Sequence, residues 1–172
     1  MQGVSREFLE NLKKIGQYRW CFRSLILLMQ QDGCKFVTLV RTLGASDGGM
    51  RQALDHLIIL GWVMRNPGYG HPSRPEYILT TEGWARTKEL DIFTRLIPND
   101  YEPSKWSLQA IWLLRQGPMR HKDLLSGLET ITPRALSETL KELEEAGILL
   151  RTVRDSRPPS VTYQLTSLIE AP

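Results

Sequence analysis

An α+β fold, mainly α, built from two tandem copies of one small unit joined by a helix is what this sequence predicts, and three observations predict it. The first is that the chain repeats itself at half its own length. A shift of 86 positions lays Trp20 on Trp106, Leu27 and Leu28 on Leu113 and Leu114, Leu54 and Leu57 on Leu140 and Leu143, and Gly61 on Gly147. The same shift lays Arg65 on Arg151, Pro72 on Pro158, and Tyr77, Leu79 and Thr80 on Tyr163, Leu165 and Thr166. The second is that each copy runs through helical spacing of apolar residues and then changes, after a glycine, to extended runs rich in β-formers. The third is bulk composition: 172 residues, 41% apolar and 24% charged, suit two compact domains of roughly 70 to 80 residues each. Self-similarity of this kind makes each copy one structural unit and asks what a pair can do.

The second copy gives the clearer outline. WSLQAIWLLRQG places Trp106, Ala110, Ile111, Leu113 and Leu114 at helical spacing and stops at Gly117 and Pro118. HKDLLSGL, around Leu124, Leu125 and Leu128, predicts a short second helix. A third begins at PRALSETLKELEEAG: Thr132 is the N-cap, Pro133 takes the first helical position where its missing N–H costs nothing, and Gly147 closes the helix. Leu136, Leu140 and Leu143 form its buried stripe, which leaves Arg134, Ser137, Glu138 and Lys141 on other faces. After Gly147, ILLRTVR and SVTYQLT read as two strands around the tip DSRPPS.

The first copy repeats the order. A helix is predicted over Tyr18 to Gln31, a short one over Phe36 to Leu43, and a third from a Ser46 cap to Leu60, followed by WVMR and PEYILT around the tip NPGYGHPSR. Three helices and a hairpin make the winged helix-turn-helix outline. A helix from Glu82 to Leu96 joins the copies and PNDYEPS is a turn-rich link. The expected division is therefore 1–97 for the N-terminal winged-helix domain with its connecting helix, and 98–172 for the C-terminal one. Trp20 and Trp106 are expected as core anchors.

The runs WSLQAIWLLRQGPMRHKDLL, ITPRALSETLKELEEAGILLR and PPSVTYQLT resemble the HxlR group of winged-helix transcription regulators and, more loosely, MarR-type repressors. The likeness covers residues 105 to 168; the first copy matches more weakly, through Trp20, LIILGWVMR and RPEYILTTEG. The resemblance implies the fold and DNA-binding control of transcription. Two departures stand out. Regulators of this group usually hold one unit per chain and dimerise, and here the third helix of the first copy opens on SDGGMRQ, rich in glycine and acid. Some relatives sense oxidants through a cysteine, which sets a sensing role for Cys21 or Cys34 against plain packing.

In a helix-turn-helix the third helix enters the major groove while the wing and flanking cations hold phosphates. The candidates in the second copy are Arg134, Ser137, Glu138 and Lys141 on the helix and Arg151, Arg154 and Arg157 on the wing. Arg134 can pair bidentately with guanine and Glu138 can accept from a cytosine amino group. In the first copy the set is Arg51 and Gln52 on the helix, with Arg65, His71 and Arg74 at the wing; Asp47 and Asp55 face phosphate unfavourably. The second copy is thus the stronger nucleic-acid surface. Two units in one chain can imitate a two-fold dimer on double-stranded DNA, or the chain can form a homodimer and present four units.

Net charge is +3, from 22 Lys and Arg against 19 Asp and Glu, which permits nucleic-acid binding without demanding it. There is no glycine-rich phosphate loop, since GASDGG lacks a lysine, and no nucleophile elbow, so no enzyme is expected. His56, His71 and His121 are scattered, so neither a metal nor another cofactor is expected. The N-terminal run lacks an apolar core and nothing spans a bilayer, which reads as a cytoplasmic protein without a membrane partner. The rival reading is a tandem winged-helix scaffold whose spare helix contacts a protein partner instead of DNA.

Overall fold

The computed structural model describes residues 6–68, 75–155 and 159–166. In chain order the elements are α1 (Arg6–Gly16), α2 (Cys21–Gln31), β1 (Cys34–Lys35), α3 (Phe36–Leu43), α4 (Asp47–Ile59), β2 (Val63–Arg65), β3 (Glu76–Leu79), α5 (Thr81–Leu96), α6 (Ser107–Leu114), β4 (Met119–Arg120), α7 (His121–Gly127), α8 (Pro133–Glu145), β5 (Leu149–Arg154) and β6 (Ser160–Leu165). The fold is α+β and mainly helical, as expected. The chain divides into two compact units, residues 17–95 and residues 1–16 with 96–172, called the first and second unit below.

In the first unit α2 is apolar nearly all round, so it becomes the central helix, with Phe22, Leu25 and Leu28 buried. Leu39 of α3 and Met50, Ala53, Leu54 and Leu57 of α4 close over it. The α4 start is local chemistry: the Ser46 hydroxyl accepts the Gly49 N–H at 3.2 Å, which satisfies one orphan donor of the first turn. Gly49 also explains the glycine-rich opening, because a Cβ there would stand 3.3 Å from the Trp20 indole. Trp20 itself is half-buried, at a left-handed φ of 79° just before α2. The large buried indole is instead Trp62, 4% exposed at the turn from α4 into β2.

Helix α5 begins where β3 ends. The Thr80 hydroxyl donates to the Gly61 carbonyl at 2.6 Å and accepts the Gly83 N–H at 3.0 Å. That seats Gly83 on the backbone of Trp62 so closely that a Cβ would collide with the Trp62 carbonyl oxygen. Gly83→Ala is accordingly expected to cost about 1–3 kcal/mol, since a backbone atom cannot rotate out of the way as a side chain can. A urea melt of the variant checks this.

The second unit has α6 at its centre, with Leu108, Ile111 and Leu114 buried, and α7 and α8 packed beside it through Leu124, Leu136, Leu140 and Leu143. Thr132 caps α8 as expected, its hydroxyl accepting the Ala135 N–H at 3.2 Å with Pro133 in the first turn, and Gly147 takes φ 70° at the far end. One grouping differs from the expected division at 97/98. Helix α1 groups with this unit, because its stripe Phe8, Leu12 and Ile15 is buried in it. Phe8 meets Trp112 edge-on at 4.5 Å, the Gln109 side chain donates to the Leu9 carbonyl at 3.1 Å, and Gly16 lies against the Lys105 backbone. Trp106, like Trp20, is only half-buried.

Each unit holds a three-stranded antiparallel sheet, in the orders β1-β3-β2 and β4-β6-β5. In the first, Val63 pairs with Leu79 and Arg65 with Tyr77; in the second, Leu149 pairs with Leu165 and Arg151 with Tyr163. Those registers are 86 positions apart, the offset read from the sequence. The hairpins β2–β3 and β5–β6 match expectation, whereas the two-residue strands β1 and β4 are additions.

Candidate nucleic-acid interface

Burial along α8 follows its apolar stripe. Leu136, Thr139, Leu140 and Leu143 are inward, and Arg134, Ser137, Glu138 and Lys141 are all exposed. Spacing of i, i+3, i+4 and i+7 places these four on one helix face, so the structure brings the expected set together. None of them is idle. The Arg134 guanidinium donates from Nε to Glu138 Oε1 at 2.8 Å, and Lys141 Nζ lies 3.6 Å from Glu145. The hydrogen bond and charge of Glu138 raise the Arg134 pKa further above its ordinary value. Ser137 donates to the Pro133 carbonyl at 3.0 Å and lies 3.1 Å from His121 Nε2.

On the hairpin, Arg151 and Arg154 are exposed on β5, an edge strand whose Leu150 and Val153 are 49% and 57% exposed. A strand that carries apolar and cationic groups into solvent on both faces projects past the core. Arg157 falls outside the described residues.

The corresponding surface of the first unit is less cationic. Arg51 and Gln52 are exposed on α4, but the Arg51 guanidinium stacks over the Phe36 ring at 4.7 Å. Asp47 and Asp55 are exposed on the same helix, Ile59 at its end is 81% exposed and Val37 on α3 is 57% exposed. Arg65 is exposed at the end of β2, and His71 and Arg74 lie outside the described residues.

Both cysteines are buried in the first unit. Cys21 Sγ donates to the Ala53 carbonyl at 3.7 Å, and burial pushes the Cys34 thiol up, which keeps it protonated. A protonated, enclosed thiol is a poor nucleophile, so this geometry supports packing. Among the described residues no group of three or more His, Cys, Asp and Glu side chains could hold a metal ion, and no helix is long and apolar enough to cross a membrane.

The HxlR-like helix-turn-helix family model matches residues 103–171, which include the α6–α8 helices and both strands of the second hairpin. The chain is 43% identical over 63 residues to an HTH-type transcriptional regulator of Halalkalibacterium halodurans, BH0655, covering 36% of this chain and 56% of that protein. It is 31% identical over 87 residues to the HTH-type regulator YtfH of Escherichia coli, covering 48% and 69%, and 37% identical over 62 residues to YodB of Bacillus subtilis, covering 36% and 55%. The crystal structure of diamide-treated YodB superimposes with a TM-score of 0.38 at 32% identity, over 47% of this chain and 74% of that one. The chain spans little more than half the length of the first of these relatives. The matched proteins are transcriptional regulators, not enzymes.

Proposed function

We propose, from the premise that this chain belongs to the HxlR-like helix-turn-helix family, that it is a sequence-specific double-stranded-DNA-binding transcription regulator whose two tandem winged-helix units act as an intramolecular pseudo-dimer. The observation that carries this reading is the exposed face of α8. A helix capped by Thr132, seated by three leucines and presenting Arg134, Ser137, Glu138 and Lys141 outward is shaped for a major groove, which admits an α-helix and exposes base-edge donors and acceptors. Arg134 and Glu138 form one charge-assisted pair: the guanidinium takes guanine O6 and N7, and the carboxylate orients it and accepts from a cytosine amino group. Arg151 and Arg154 on the hairpin supply phosphate contacts. The 86-residue offset between the strand registers supports the tandem arrangement.

Selection of bound fragments from a random duplex library tests the reading. Arg134→Ala is expected to relax preference at one base pair by about 1–3 kcal/mol. Arg154→Ala is expected to weaken all sequences alike and to flatten the salt dependence, because one fewer phosphate releases its counterion. A flat selection, together with recovery of a tight protein partner, favours the scaffold reading, for which the exposed Ile59 and Val37 of the first unit are the supporting observation.

A further inference from the structure

Within the second unit α1 lies on α6 through Phe8 against Trp112 and through the Gln109 amide, which donates from Nε2 to the Leu9 carbonyl at 3.1 Å. Beside that hydrogen bond, between α1, the start of α6 and the turn that follows α7, is a cavity of about 70 Å³. At about 10–15 Å³ for each water-sized group, such a space admits a molecule of roughly five to seven non-hydrogen atoms. Leu9, Leu128 and the half-buried Trp106 give it an apolar wall.

The polar part of the wall is chemically incomplete. Gln109 is 5% exposed, and its Oε1 is buried with no hydrogen-bond partner among the described residues. A buried acceptor left without a donor carries its full desolvation penalty. Lys13 and Glu10, about one turn apart on α1, both line the cavity, and neither has an ion pair among the described residues. The other two charges of the wall, Arg6 and Glu129, are matched to each other at 3.2 Å, from α1 to the turn after α7. What the wall leaves unmatched is an acceptor, a cation and an anion, beside apolar surface.

We propose that this cavity binds a small zwitterion, a free α-amino acid of the size of glycine, alanine or serine. Its ammonium supplies the donor that the Gln109 amide lacks and the charge that Glu10 lacks, its carboxylate takes Lys13, and a short side chain meets Leu9 and the Trp106 ring. A simple carboxylate leaves Gln109 and Glu10 unmatched, and a simple amine leaves Lys13 so; the zwitterion answers all of them. The site does not depend on duplex binding, and the first unit does not repeat it. The 86-position offset sets Arg23 where Gln109 stands, and that guanidinium lies over the Phe22 ring at 5.4 Å. Because Leu128 and Thr130 belong to the wall and Thr132 caps α8, an occupant bears directly on the turn between α7 and α8.

The test is isothermal titration calorimetry of the full chain with glycine, L-alanine and L-serine, set against propionate and ethylamine, which each carry one of alanine's two charges. The zwitterions are expected to bind at least about tenfold more tightly than either singly charged probe, since each of those forfeits a charge-assisted contact. Glu10→Gln, Lys13→Met and Gln109→Leu are each expected to weaken L-alanine binding roughly tenfold, while Lys88→Gln, exposed on α5, leaves it unchanged. Amide exchange in the presence of L-alanine is expected to slow at residues 128–131 and along α1. Thermal melts matched to the parent exclude misfolding, and Glu10→Gln, on the surface, carries the test if Gln109→Leu unfolds. Lack of binding by all of the zwitterions at millimolar concentration, or binding that Glu10→Gln and Lys13→Met leave untouched, overturns the site. Equal binding of L-alanine and propionate leaves no part for Glu10 and Gln109 and overturns the zwitterion assignment.

Discussion

Leu136→Ala is expected to destabilise the second unit by about 2–5 kcal/mol and to remove duplex preference at the same time. Leu136 is fully buried in the first turns of α8, between Arg134 and Ser137 on the exposed side. Truncating it deletes apolar contact and leaves a cavity under the very turn that presents the residues proposed to read DNA. The loss of stability distinguishes it from Lys141→Ala, which within the fold breaks an exposed pair with Glu145 and is expected to change stability by less than about 0.5 kcal/mol. Urea melts of both variants, read beside duplex selection, check the contrast. Equal destabilisation by the two would mean that α8 is not seated by its leucine stripe.

Much of this was legible because the signals are local. A threonine cap three residues ahead of the N–H it satisfies, a proline at the first helical position and a glycine at positive φ are all short-range chemistry, and the structure places Thr132, Pro133 and Gly147 as their spacing predicts. The correspondence of the two hairpins was legible from the sequence, since Tyr77 and Leu79 align with Tyr163 and Leu165 and take matching places in the two registers. The face of α8 was equally so, because a buried stripe at i, i+4 and i+7 defines its complement.

What escaped the sequence depends on partners far along the chain. Strands β1 and β4 are two residues long, too short to display an alternating pattern, and exist because β3 and β6 come back to pair with them. The amphipathic stripe of α1 announces that something covers it without saying what; only Gly16 against Lys105 and Phe8 against Trp112 assign it to the second unit. PNDYEPS reads as a link, yet the buried Ser107 hydroxyl accepts the Ser104 N–H and lies 2.9 Å from both Tyr101 and Ser104 hydroxyls, locking the start of α6. At the site, the Arg134–Glu138 pair follows from i, i+4 spacing. The His121–Ser137 contact spans two helices and carries no periodic signature.

Phe93→Ala is expected to cost the first unit about 3–5 kcal/mol and to decide whether that unit takes part in DNA recognition. Phe93 is fully buried on α5 and meets Phe22 of α2 edge-on, with ring centroids 6.3 Å apart and planes at 84°. Removing it takes away a large apolar surface together with a favourable aromatic geometry. Amide exchange should accelerate in α2, α4 and α5 while α6 and α8 of the second unit keep their protection. On the pseudo-dimer reading each unit occupies one half-site, with the two half-sites about one helical turn apart. Loss of the first unit should then shorten the protected duplex to a single half-site and weaken binding, while the base preference set by Arg134 persists. Protection of unchanged length and affinity in the variant would instead make the second unit the whole DNA-binding apparatus. The exposed Val37 and Ile59 of the first unit would then be the surface to examine for a protein partner.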